Sequence, residues 1–243
     1  MRKIILTISI LFLLASPVSA QKIASSKNST KKETVIKSLA FSAPFIVTGA
    51  ALYGAQGRKF QPIREGISPG FSTGVDEYIR FAPMAMLYGL KIAGVEGRSS
   101  WGKTIVTNAI SAAAMGAIVN GMKYTIKEPR PDGSRDNGYP SGHTALAFMS
   151  ANMVHHEYGL TRSPWYSVAA YGLATTTAAL RVMNNAHYAQ DVIMGAGIGI
   201  LSTEFGYFVA DLIFKERGSL LGERERTFGN TDSPYSYFGV NMG

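Results

Sequence analysis

Lys123-Tyr124-Thr125-Ile126-Lys127-Glu128-Pro129-Arg130-Pro131 closes one apolar helical pattern, and Pro140-Ser141-Gly142-His143, after eight intervening residues, opens the next. A helix that ends here and a helix that begins here run in opposite senses, so the loop between them lies at one end of a helical bundle. Lys123 and Arg130 can point at one pocket from the helix end and the loop. Pro131 restricts the backbone of Arg130 towards extended geometry and so fixes where the guanidinium starts. Ser141 and Gly142 at a helix entrance offer unspent backbone N–H groups and a hydroxyl at the positive end of the helix dipole, which is an anion seat. The plainer alternative is an ordinary cap, in which Ser141 satisfies N–H groups and nothing more.

The sequence predicts six helices around this loop. They are Ile36 to Ala55, interrupted by Pro44; Asp76 to Val95, with Phe81, Met84, Leu87, Tyr88 and Ile92 at three- and four-residue spacing; and Trp101 to Lys123, whose Ala112-Ala113-Ala114-Met115-Gly116 centre would admit a close neighbour. His143 to Tyr158, Pro164 to Met183 and His187 to Lys215 complete the set. Gly195, Gly197 and Gly199 follow no strand and sit inside a helix, so they read as small-residue packing and not as a dinucleotide fingerprint. With no strand pattern before the tail, the expected fold is all-α: an antiparallel bundle of about six helices with the active site at one end. The divisions are a signal peptide at 1–20, a polar linker at 21–34, a helical domain at 35–217 and a tail at 218–243.

The chain has 243 residues, long enough for one sizeable core. Charged residues make up 16%, below the quarter or so of ordinary soluble domains, which indicates buried or membrane-facing helices. A net charge of +8 favours anionic partners. Its positive residues are scattered and form no basic helix or finger, so anionic lipid or a phosphorylated substrate fits and nucleic acid does not. The absence of cysteine excludes disulfides, thiolate metal sites and cysteine nucleophiles. Arg2 and Lys3, an apolar run from Ile4 to Ala15 and the Val18-Ser19-Ala20 end read as a secretory signal, with an uncleaved membrane anchor as the alternative.

The second half of the chemistry lies about forty residues on. His187 and Asp191 are four residues apart, on one face if both are helical. A carboxylate that accepts one imidazole N–H leaves the other nitrogen free, which makes His187 a plausible nucleophile. A shared metal ion and a capping histidine with a solvated aspartate are the alternatives. Arg181 supplies a third cation beside the turn that joins the last two helices. Of the four histidines, His155 and His156 fall at the opposite end of their helix.

Taken together, these residues resemble the type 2 phosphatidic acid phosphatase superfamily, which includes vanadium haloperoxidases and bacterial acid phosphatases. Its pattern is Lys, six residues, Arg-Pro; then Pro-Ser-Gly-His; then Ser-Arg, five residues, His, three residues, Asp. Lys123 with Arg130-Pro131, Pro140 to His143, and Arg181, His187 and Asp191 match it; Leu180 stands where the family has Ser. The resemblance implies that His187 attacks phosphorus to form a phosphohistidine, oriented by Asp191. It implies that His143 protonates the leaving alcohol and later activates water. Lys123, Arg130, Arg181, Ser141 and the Gly142 N–H would hold the phosphoryl oxygens, and neither metal nor cofactor is implied.

The expected activity is therefore a metal-independent phosphatase acting on a lipid phosphate such as lipid A, phosphatidate or polyprenyl phosphate. A soluble acid phosphatase, a haloperoxidase and a non-catalytic envelope protein are the alternatives. Asn108, Asn120, Asn152 and Glu204 make the helices marginal as lipid-facing spans. The expected location is the periplasmic side of the envelope, in contact with a membrane surface. If a cleaved signal leaves Gln21 outside and every helix spans, however, the site faces inwards.

Overall fold

A computed structural model describes residues 31–53, 58–59 and 61–216. The expected leader and tail lie outside them. Among the described residues the chain is all-helical: α1 (Lys31–Ala51), α2 (Gln61–Ile67), α3 (Asp76–Ile79), α4 (Ala82–Ile92), α5 (Trp101–Ile126), α6 (Gly142–Val154), α7 (Pro164–Met183) and α8 (Ala189–Glu216). A π-helical turn, His155–Gly159, continues α6.

Helix starts follow their caps. Ser100, Ser141 and Ser163 each accept a backbone N–H from the first turn of α5, α6 and α7. Elsewhere the expected boundaries shift for identifiable reasons. α1 begins at Lys31, inside the expected linker, and runs through Pro44 without a break. Phe45 and Ile46, just beyond the proline, pack on Gly197 of α8, and this contact offsets the lost backbone hydrogen bond. The helix expected over Asp76 to Val95 divides at Arg80 and Phe81, because Pro83 starts a new helix and cannot continue the old one. Phe81 and Ile92, expected on the apolar face, are exposed, whereas Leu87 is fully buried.

α6 is the centre of the bundle: residues Thr144 to Val154, apart from Leu146, are all buried. α7 runs antiparallel beside it, since Tyr171 meets Asn152 and Ser167 meets His155. α8 runs parallel to it, with Ser141 against Gly195 and Asn152 against Glu204. α4 also descends with α6, from Arg80 near His143 to Lys91 near Glu157. α1 and α5 ascend against α8, as the pairs Gly49 with Met194 and Ser111 with Gly206 show. Three helices thus rise to the end that carries Lys123 and Arg181, and three descend from it.

Glycines set the closeness of α8. A Cβ on Gly195 would lie 2.5 Å from the Ser141 carbonyl oxygen, and one on Gly199 would collide with Ala145 O and come within 2.8 Å of Met149 N. These are backbone atoms of the central helix and cannot swing aside. Gly199→Ala is therefore expected to lower stability by about 1–3 kcal/mol through overpacking, read as a lower Tm. The expected close approach at Ala112 to Gly116 instead occurs a turn earlier, where Thr107 and Ser111 face Gly206.

Several polar groups inside the bundle pair with one another. Asn108 donates to Tyr88 Oη at 2.7 Å, and Asn152 donates to Glu204 at 2.9 Å. Buried Glu157 accepts from Tyr207 Oη at 2.8 Å and from Ser99 N at 2.9 Å. α5 and α8 are long and apolar enough to cross a membrane, but they differ in burial: 67% of the apolar window of α8 is buried within the bundle, against 17% for α5. Trp101, Ile105, Ile118 and Tyr124 lie on the outside of α5.

Candidate active site

The expected site residues lie on the last turn of α5 and the loop after it, the start of α6, the end of α7, and the turn before α8 with its first residues. Lys123 sits in the last turn of α5 and donates to the Asn137 carbonyl oxygen. Arg130 Nε donates to Oδ1 of the same Asn137 at 3.1 Å. One asparagine therefore holds both Lys123 and Arg130, one through its backbone and one through its side chain. The loop limbs are joined by Gly138 N–H donating to Glu128 O at 2.7 Å, and the Tyr139–Pro140 peptide is cis.

Ser141 is fully buried. Its Oγ accepts from Thr144 N at 3.4 Å and Thr144 Oγ1 at 3.1 Å, so Ser141 caps α6. Ser141 N–H donates to Asp191 O at 2.9 Å, which ties the start of α6 to the first turn of α8. Gly142 is the first residue of α6, where backbone N–H groups have no partner within the helix.

His187 does not lie on α8, as its spacing from Asp191 had suggested; it sits two residues before the helix begins. The pair meets nonetheless, with His187 Nδ1 3.2 Å from Asp191 Oδ2. The same oxygen accepts Tyr188 N–H at 2.9 Å, so Asp191 caps its own helix while it holds the imidazole. Both side chains are buried. Burial pushes the His187 imidazole well below the ordinary histidine value, and Arg181, Arg130, Lys123 and His143 push it the same way. The ring is therefore neutral at physiological pH, with Nε2 free of hydrogen bonds among the described residues.

Arg181 is 5% exposed in the last turn of α7. Its Nη1 contacts Asp76 Oδ2 at 2.5 Å and Glu77 Oε1 at 3.3 Å, while its buried Nε has no partner among the described residues. Asp76, Glu77 and Arg80 were missed by sequence reasoning. Their signal was two adjacent carboxylates after Gly74 in a chain poor in charge. The segment before them is strapped to the α7–α8 turn: Gln61 donates to Asn185, Arg64 to Met183 O at 2.6 Å, and Thr73 pairs with Asn184 at 2.8 and 2.9 Å.

His143, one residue into α6, is the most open of the two imidazoles. Its Nε2 lies 3.0 Å from Glu77 Oε2 and 2.5 Å from Arg80 Nη1. The site thus contains two histidine–carboxylate pairs in a ring of cations. One is sealed and uses Nδ1; the other lies at the mouth and uses Nε2.

Comparison with known proteins gives three findings. The PAP2 superfamily matches residues 104–211, a span that includes every expected site residue from Lys123 to Asp191. A lipid A 1-phosphatase from Porphyromonas gingivalis is 48% identical over 147 residues, which cover 60% of this chain and 33% of that protein. The chain therefore spans about a third of the length of this curated relative. The crystal structure of Aquifex aeolicus LpxE aligns with 60% of this chain and 92% of its own, at 18% identity and a TM-score of 0.46.

Proposed function

Because residues 104–211 match the PAP2 superfamily, we propose that the chain removes phosphate from a phosphorylated lipid, with His187 as nucleophile and His143 as proton donor. The observation that carries this reading is the sealed His187–Asp191 pair: a neutral imidazole, held at Nδ1, surrounded by three cations. In the first half-reaction His187 Nε2 forms a P–N bond as the ester P–O bond breaks, and the ester oxygen takes a proton from His143. Lys123, Arg130 and Arg181, with Ser141 and the Gly142 N–H, hold the phosphoryl oxygens, and the unspent Nε of Arg181 is one donor available for this. In the second half-reaction a water molecule gives a proton to His143 and bonds to phosphorus. The P–N bond then breaks, its electron pair returns to His187, and inorganic phosphate leaves.

The name of the relative supports lipid A as the first substrate to try. The uncovered apolar face of α5 supports a membrane around the bundle.

The test is phosphate release by the full chain in detergent from lipid A, phosphatidate, undecaprenyl phosphate and a small aryl phosphate. Release from at least one lipid is expected. Release from the aryl ester alone would overturn the lipid assignment, and release from none would overturn the phosphatase.

A further inference from the structure

The geometry points to Glu77 as a positioning residue for His143: we propose that it holds the Nε2–H of the proton-donating imidazole, so that Nδ1 faces the ester and carries the proton that moves. This inference rests on the phosphatase reading of the same site.

Glu77 reaches the site because the chain breaks between α3 and α4. Pro83 ends the helical path there, leaving α3 across the mouth while α4 descends beside α6. Asp76, next to it, is buried against Arg181 and anchors the short helix in that place. Glu77 is 49% exposed at its side chain and touches three functional groups at once. Oε2 is 3.0 Å from His143 Nε2 and 3.3 Å from Arg80 Nη2, and Oε1 is 3.3 Å from Arg181 Nη1. His143 Nδ1 makes no hydrogen bond among the described residues.

Nε2 of His143 therefore has an acceptor, Glu77, and a donor, Arg80, within reach, and its protonation decides which it uses. With Nε2 deprotonated it accepts from Arg80. With Nε2 protonated it donates to Glu77, and the imidazole then has Nδ1 free to act. The proton on Nδ1 passes to the ester oxygen as the P–O bond breaks. What remains is a neutral ring, still bonded to Glu77, whose Nδ1 lone pair takes a proton from the attacking water. Glu77 stays ionised throughout, and no proton rests on it.

The charged and titratable groups that face His143 are Glu77 on α3, Arg80 in the break after it, Arg181 on α7 and His187 ahead of α8. Burial lowers the affinity of His143 for its second proton, and the Glu77 bond opposes this while the two arginines reinforce it. The carboxylate is held below its usual range first by its hydrogen bond to His143, against the effect of burial. Without Glu77 nothing in this set favours the protonated ring.

The experiment compares wild-type, Glu77→Gln and Glu77→Asp full-length chains in detergent on two soluble monoesters, decyl phosphate and dinitrophenyl phosphate. An alkoxide needs a proton as it leaves and a dinitrophenolate does not. For Glu77→Gln, kcat on decyl phosphate is expected to fall about 10- to 100-fold, the lower part of the range for general-acid catalysis, with at most about a threefold loss on the aryl ester. The alkaline limb of kcat on decyl phosphate should move to lower pH, and Glu77→Asp should restore part of that shift. An unchanged Tm and vanadate inhibition constant would show that the fold and the phosphate seat are intact. Equal losses on both esters with an unmoved limb would overturn the proposal and make Glu77 a structural residue. No loss on either ester would overturn it as well. In both cases wild-type turnover leaves the phosphatase reading standing, whereas wild-type inactivity on both esters and on the lipids would overturn the two together.

Discussion

His187→Ala is expected to reduce phosphate release by about a thousandfold or more, because nothing else in the site offers a neutral nucleophile in the same place. His143 is turned to Glu77 and Arg80, and His155 and His156 lie at the far end of the bundle, bonded to Ser167 and Glu204. The loss should not come from unfolding. Asp191 Oδ2 keeps its bond to Tyr188 N–H when the imidazole is removed, so the start of α8 stays capped, and Ser141 N–H still reaches Asp191 O. An unchanged Tm alongside lost turnover would separate the two effects. Trapping of an acid-labile, base-stable phosphoryl group on the wild-type chain, absent from the variant, would identify the intermediate.

The same residue sets an expectation for pH. Its folded-state value is depressed below the ordinary 6.5, chiefly by burial and then by the surrounding cations. The neutral, attacking form therefore persists at pH values where a free imidazole would already be charged, and is lost only as pH falls through the depressed value. The acid limb of kcat/KM assigned to His187 should lie below 6.5. An acid limb centred at or above 6.5 in the wild-type chain would contradict the burial argument.

Asp76→Ala is the second substitution with a large expected effect, and its effect is on stability. Asp76 is 1% and Arg181 5% exposed, and the contact between them is 2.5 Å. Removing one partner of such a pair leaves a charge in a desolvated place, at a cost of about 3–5 kcal/mol. Glu77 lies 3.3 Å from the same nitrogen and offsets part of this, so the lower end of the range applies. Asp76→Ala with Arg181→Met removes both charges and should regain most of the Tm without regaining turnover. If the single substitution left Tm within a degree or so, the ion pair would not be what anchors α3.

How much of this could be read from the sequence depended on the kind of signal. The starts of α5, α6 and α7 were readable because a serine stands just ahead of each, and Lys123 and Arg181 follow the ends of α5 and α7, whereas α8 starts two residues later than its pattern suggested. The break before α4 was also local, written in Pro83, but the apolar spacing across it suggested one helix. Asn137, Asp76, Glu77 and Arg80 were not readable as site residues. Each acts through a partner far along the chain: Asp76 meets Arg181 at a separation of 105 residues, and Arg80 meets His143 at 63. Nothing in a single sequence encodes such a pairing. The central place of α6 was hidden for another reason. A helix covered on all sides carries no stripe, and Ser150 and Asn152 made this one look more polar than its surroundings.

The count of rising and descending helices has a practical corollary. With α1 starting and α8 finishing at the end away from the catalytic mouth, orientation becomes a matter of parity. A reporter joined ahead of α1 and one joined behind α8 must agree with each other, and both must disagree with a label placed on Arg135 in the exposed loop. If this bundle crosses a bilayer, either tag alone identifies the compartment that supplies the substrate.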